Sequence, residues 1–215
     1  MNNNFLSKVF MNMFIGLLVT FLTSYIVSTN YNLMYLLYGN GTYWILVIAE
    51  ILVAVFLSAR IHKMKGITAA ILYFLYAVLT GLSFSGIFIV YSLESIIWIF
   101  LATSIVFGIF AFIGKTTKID LSKVGTFLIM GLVCIIILEI VNIFLLSSSL
   151  NLVLCVFGII VFMGFIAYDI QKILLLARNQ FIPEENLAII GAFELYLDFI
   201  NIFIRLLQLF GKGRD

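Results

Sequence analysis

Long apolar runs alternate with short polar breaks along the whole chain. Seven runs stand out, near 9–29, 43–60, 67–91, 95–114, 124–146, 151–171 and 187–210. Each is close to the roughly 20 residues that an α-helix needs to cross a bilayer. The alternating segments of about ten residues that a membrane β-barrel requires do not occur. Backbone groups in lipid must bond to one another, so the runs predict helices. The first run is too long for a cleaved signal peptide, and no small-x-small site follows it. The pattern predicts an all-α polytopic membrane protein, a single transmembrane domain over 1–215.

The polar breaks predict orientation, because Lys and Arg favour cytoplasmic loops. Arg60, Lys63 and Lys65 lie between runs two and three, and Lys115, Lys118 and Lys123 between four and five. Lys172 and Arg178 lie between six and seven. The other breaks, 30–42, 92–94 and 147–150, contain no Lys or Arg. This places the basic breaks, Lys8 and the N-terminus on the cytoplasmic side. The seventh run leaves two options. A full crossing puts Lys212 and Arg214 outside, against the charge rule; a re-entrant segment keeps them inside. Its polar residues predict a helix packed within the bundle rather than facing lipid.

Composition sharpens the class. The 215 residues are 64% hydrophobic and 10% charged, against about 25% charged in a soluble domain. A soluble enzyme and a disordered regulator are excluded. A net charge of +2 is too small to suggest nucleic acid as a partner. Cys134 and Cys155 lie inside apolar runs, which supports neither a disulfide framework nor a zinc site. His62 is the single histidine, so no histidine pair exists for a metal or a triad. The expected surroundings are the lipid bilayer, with no cofactor.

Candidate chemistry rests on five intramembrane carboxylates: Glu50, Glu139, Asp169, Glu194 and Asp198. Ionisable groups in a membrane are costly, so each needs a reason. In the seventh run Glu194, Asp198, Asn201 and Arg205 are spaced i, i+4, i+7 and i+11, one face of a helix. The opposite face is Leu, Ile and Phe. Asp169 closes the sixth run near its cytoplasmic end, and Asp198 lies about 16 Å into the seventh at the helical rise. A short loop joins these helices, so the aspartates can approach each other. Two close carboxyls in low dielectric cannot both ionise cheaply and titrate as a unit. One shared proton would bond the helices together; its loss would repel them or attract a cation. Arg60, ending the second run, is the natural partner for Asp169. With the pair, Glu50 and Glu139 form a ladder of acidic groups that favours cation passage when no cations match it. Tight calcium binding needs 6–8 oxygens, so a calcium site at Asp169 and Asp198 is expected to be weak. The plainer role for Glu139 is a hydrogen bond to a neighbouring helix, with Asn142 one partner.

Other features read as structural. The small residues of Thr80-Gly81-Leu82-Ser83-Phe84-Ser85-Gly86 permit close helix packing or a bend. Tyr43, Trp44, Tyr91 and Trp98 fit interfacial anchors. Asn40-Gly41-Thr42 matches a glycosylation acceptor, a common chance match. His62 is expected in a solvated basic loop.

The same residues carry a resemblance. Leu79-Thr80-Gly81-Leu82-Ser83-Phe84-Ser85, 112–122, Ile166-Ala167-Tyr168-Asp169 and 195–203 (Leu-Tyr-Leu-Asp-Phe-Ile-Asn-Ile-Phe) resemble the Bax inhibitor-1, or transmembrane Bax inhibitor motif, family and its bacterial calcium-leak members. The resemblance implies seven helices with the seventh central, and a pH-sensitive calcium leak; a single proline with abundant Asn, Lys and Ile points to a bacterial source and so to the cell membrane. It implies that Asp169 and Asp198 form the proton-sensing pair, that Arg60 is the gating arginine, and that Glu50 is the acidic residue of the second helix. Gly86 departs from a proline common in relatives. Glu194 adds a carboxylate one turn before Asp198, beside the ion pathway.

Other functions compete. An intramembrane aspartyl protease also pairs aspartates on adjacent helices, and Tyr168-Asp169 fits it. Its second motif, Gly-x-Gly-Asp, is replaced by Leu195-Tyr196-Leu197-Asp198, and the only proline, Pro183, precedes that helix. A retinal receptor needs a Schiff-base lysine where Arg205 stands. A proton-coupled cation exchanger would use the same aspartates. A non-conducting regulator of another membrane protein complex would need no ion pathway. The favoured expectation is a calcium leak gated by protons, with calcium as the transported ion and no enzyme activity.

Overall fold

The computed structural model describes residues 3–39, 41–179 and 182–214. Asn40, the glycosylation candidate, lies outside the described residues, and so does the side chain of His62. Among the described residues seven helices are long and apolar enough to cross a membrane. They are α1 (Asn3–Ser28), α2 (Thr42–Arg60), α3 (Gly66–Phe84), α4 (Leu93–Thr116), α5 (Ser122–Leu145), α6 (Ser148–Asn179) and α7 (Glu184–Phe210). The described residues form no strand; one isolated bridge pairs Tyr91 with Gly213.

The helices overrun the apolar runs where buried side chains continue past them. α1 starts well before residue 9 because Phe5, Leu6 and Val9 are buried. α6 continues beyond 171 because Ile173 and Leu174 stay buried between Lys172 and Arg178. α3 is interrupted at Ser85 and Gly86, and a short turn, Ile87–Val90, follows. Residues 30–39 of the break are also ordered. The Asn30 side chain caps the turn Tyr31–Met34 at the Leu33 amide. A wider π-wound turn, Tyr35–Gly39, places Leu37 against Val27 and Leu46.

The chain divides into two compact units. The first contains Met1–Ser92, Ala177–Tyr196 and Gly213–Asp215; the second contains Leu93–Leu176 and Leu197–Lys212. Lipid tails are as apolar as leucine, so burial alone cannot drive helices together in a membrane. Close backbone approach and interhelical hydrogen bonds must do so.

In the first unit the contacts keep a register. Thr20 Oγ1 donates to the Ala77 carbonyl, and Ser24 Oγ donates to the Gly81 carbonyl, 57 residues on in each case. A constant offset means that α1 and α3 run parallel. A Cβ on Gly81 would collide with the backbone carbonyl of Thr20, so the helices touch where only glycine fits. The start of α7 follows the same direction. Lys8 Nζ meets Glu184 Oε1 at 2.7 Å, and the Thr20 and Tyr196 hydroxyls bond at 2.6 Å, both separated by 176 residues. The Tyr196 ring stands edge-on to Tyr73 and Tyr76. α2 packs on α3 through the tight turn at Ile61–Lys63.

The tail resolves the crossing question. The Arg214 amide donates to the Val90 carbonyl at 3.0 Å, and its Nη1 donates to the Phe88 carbonyl at 3.1 Å. Residues 88–91 follow the end of α3, whereas α7 begins beside Lys8, near the start of α1. The last helix therefore crosses fully. Lys212 and Arg214 thus lie at the opposite end of the helix bundle of this unit from Lys8.

In the second unit, a Cβ on Gly114 of α4 would run into the Ala167 backbone of α6, and one on Gly125 of α5 into the Tyr168 ring. Phe100 and Phe107 of α4 pack against Phe199 of α7. Burial differs sharply among helices: 72% of the α7 apolar window is buried and 6% of that of α5. Leu187, Ile190, Phe193, Leu195, Tyr196 and Ile202 of α7 are all buried. These positions go round the helix, so its burial extends well beyond one stripe.

Candidate functional site

The acidic residues fall into three local settings. The first is on α2. Thr80 Oγ1 donates to Glu50 Oε1 at 2.9 Å, and Ser83 Oγ donates to Glu50 Oε2 at 2.6 Å. Each carboxylate oxygen thus receives one hydroxyl from α3, three residues apart and on one helix face. The shorter bond has the length of a charge-assisted O–H···O⁻ contact. Glu50 is half-buried and Thr80 fully buried. The Ser83 carbonyl also accepts from the Tyr38 hydroxyl at 2.9 Å, and that hydroxyl accepts from the Gly86 amide at 2.9 Å. The interruption of α3 is therefore pinned from the 30–42 segment.

The second setting holds the aspartates. Asp169 on α6 is 7% exposed and Asp198 on α7 is 4% exposed, and both belong to the second unit. Lys172, one turn along α6, places Nζ 3.8 Å from Asp169 Oδ1 and lies 6.0 Å from the Tyr168 ring centre. The Gln171 amide next to it reaches the preceding loop: Oε1 accepts from the Leu121 amide, and Nε2 donates to the Ile119 carbonyl, both at 2.8 Å. In that loop the Asp120 carboxylate accepts from the Ser122 amide at 2.9 Å, which holds it below the usual carboxylate range.

The third setting is an ion pair. Arg205 Nη2 of α7 donates to Glu139 Oε1 of α5 at 2.8 Å. Their side chains are 7% and 45% exposed. The guanidinium lies over the Phe162 ring at 5.6 Å. It also rests on Gly158, where a Cβ would overlap Arg205 Nε and Cδ. Arg205 Nε is buried without a hydrogen-bond partner among the described residues. Nearby in this unit, the Cys155 thiol donates to Gln208 Oε1 at 3.0 Å.

The expected residues are thereby located. Glu194 is half-buried in the first-unit part of α7. Arg60 is the last residue of α2 and is exposed. Glu139 bonds to a neighbouring helix, as its plainer role required, but through Arg205; Asn142 Oδ1 instead accepts from the Ser147 amide beyond the end of α5. Glu139 therefore has a matching cation. Sequence reasoning passed over Thr80 and Ser83 as small packing residues; of this contact the sequence displays only two hydroxyls one turn apart. Among the described residues no three His, Cys, Asp or Glu side chains gather closely enough to hold a metal ion.

These features define an integral membrane protein of seven spanning helices with acidic side chains held inside its spans. The family model described as "Inhibitor of apoptosis-promoting Bax1" matches residues 2–215, and the chain belongs to this Bax inhibitor-1 family. It is 39% identical over 215 residues to the inner membrane protein YbhL of Escherichia coli strain K12, covering 98% of this chain and 92% of the relative. It is 36% identical over 217 residues to a Borreliella burgdorferi protein, covering 99% and 94%. It is 31% identical over 164 residues to the membrane protein SpyM3_0260 of Streptococcus pyogenes, covering 75% and 71%.

Proposed function

We propose that this chain is a pH-gated cation leak of a bacterial cell membrane, with calcium as the principal ion and the N-terminus cytoplasmic. The observation that supports the reading most is the burial of Asp169 and Asp198 in membrane-spanning helices of one unit. Carboxylates so placed are expensive to ionise, and two that lie close together titrate as a unit. In this reading a shared proton holds α6 and α7 in one arrangement. Arg60 stabilises the closed arrangement by pairing with Asp169. Glu50, Glu139 and Glu194 line the ion's route, and Asp169 and Asp198 meet calcium weakly when deprotonated. A leak calls for weak contacts of this kind, because an ion that binds tightly does not leave. The chain performs no covalent chemistry in this reading.

The test is calcium entry into liposomes carrying the purified chain, measured across pH. The native chain is expected to conduct with a pH dependence that the double substitution Asp169→Asn, Asp198→Asn abolishes. Folded native protein with no flux above empty liposomes at any pH overturns the leak. Flux driven by an imposed pH gradient rather than merely gated by pH would make it an exchanger.

A further inference from the structure

Hydroxyl side chains in a helix have a cheap local option: they donate back to a carbonyl one turn earlier. Thr103 and Ser104 in α4 do this, donating to the Ile99 and Phe100 carbonyls, each at 2.8 Å. Thr80 and Ser83 in α3 do otherwise. Each turns its hydrogen onto α2, and the two hydroxyls divide the oxygens of one carboxylate between them. A carboxylate with a donor on each oxygen cannot rotate about its terminal bond without breaking both contacts. Each oxygen also retains a lone pair, and the Glu50 side chain is only half-buried. The anchor is itself held, because Tyr38 fastens the Ser83 carbonyl at 2.9 Å.

We infer that Thr80 and Ser83 are positioning residues for cation passage, which fix the Glu50 carboxyl group as an immobile station for a passing ion. The inference rests on the reading of the chain as a cation leak. The hydroxyls act through Glu50 and need not touch the ion. Without them Glu50 samples several rotamers, so an ion meets a blurred station rather than a fixed one.

The experiment uses the full chain in liposomes, with calcium flux recorded against calcium concentration and thermal unfolding recorded for every variant. Thr80→Val and Ser83→Ala are each expected to raise the half-saturating calcium concentration about fivefold, the factor that one lost hydrogen bond carries. Thr80→Ser keeps the hydroxyl and is expected to stay within twofold of native. In a Glu50→Gln background, Thr80→Val and Ser83→Ala are expected to add nothing, because the carboxyl group they position is gone. If Thr80→Val does not fold, Ser83→Ala alone decides, since Ser83 is only half-buried. Native flux with the hydroxyl variants unchanged, or with an equal effect in the Glu50→Gln background, overturns this inference and leaves the leak standing. A folded native chain that does not conduct overturns both.

Discussion

Glu50 in the first unit and Glu139 in the second are both carboxylates on membrane-spanning helices, and their partners differ in charge. Glu50 receives two neutral hydroxyls at 2.9 and 2.6 Å. Glu139 receives the guanidinium of Arg205 at 2.8 Å. The first arrangement brings no countercharge to the carboxyl group; the second brings a guanidinium. An ion attracted to acidic groups has reason to stop at Glu50 and little reason to stop at Glu139 while Arg205 remains there. The difference shows that counting acidic residues along a membrane protein overstates its pull on cations. What matters is whether the donors that satisfy each one carry charge.

The comparison can be broken most forcefully at the ion pair. Glu139→Ala leaves a guanidinium that cannot deprotonate buried with its Nε already without a partner, and is expected to cost about 3 kcal/mol. Arg205→Met is expected to cost less, about 1–2 kcal/mol, because Glu139 is 45% exposed rather than buried and methionine fills the space. Thermal unfolding in detergent of both variants checks the order; the reverse order would mean that Glu139, not Arg205, is the trapped charge. Gly158→Ala is expected to be next, at about 1–3 kcal/mol, by pushing Arg205 off its seat on α6. Restored stability in Gly158→Ala combined with Arg205→Met would show that the clash is with the arginine alone. Glu50→Gln is expected to be smallest, below about 1 kcal/mol, since the amide oxygen still accepts one hydroxyl. Its effect should appear in calcium flux rather than in stability, which is the signature that separates the two carboxylates.

Much of the fold was legible in the amino-acid pattern. The seven spans follow from apolar length alone, and each run coincides with one of the seven long helices, give or take its ends. Their ends were less legible, because hydropathy sees the lipid while the helix sees its neighbours. Ile173 and Leu174 carry α6 on past Lys172, where the apolar run had stopped. Partners were the least legible. Glu139 and Arg205 lie 66 residues apart, and which face of α5 meets α7 depends on packing that a single sequence does not display. Asn142, three residues from Glu139 on the same helix, was the visible alternative, and it caps the end of α5 instead. Thr80 and Ser83 were misread for a related reason. A small polar residue serves packing and donation equally well, and only the position of Glu50 on the facing helix decides which.

The matched spacings in the first unit also carry a consequence for how this chain tolerates changes in length. Lys8 meets Glu184 and Thr20 meets Tyr196 across the same interval, while Thr20 and Ser24 reach α3 across another. α1 is thus a ruler read by two other helices at once. Inserting or deleting one residue between Lys8 and Thr20 would swing one part of α1 by about 100° against the other. The Lys8 contact and the Thr20 contact could then not be kept together, although the helix would remain just as apolar and long enough to span the bilayer.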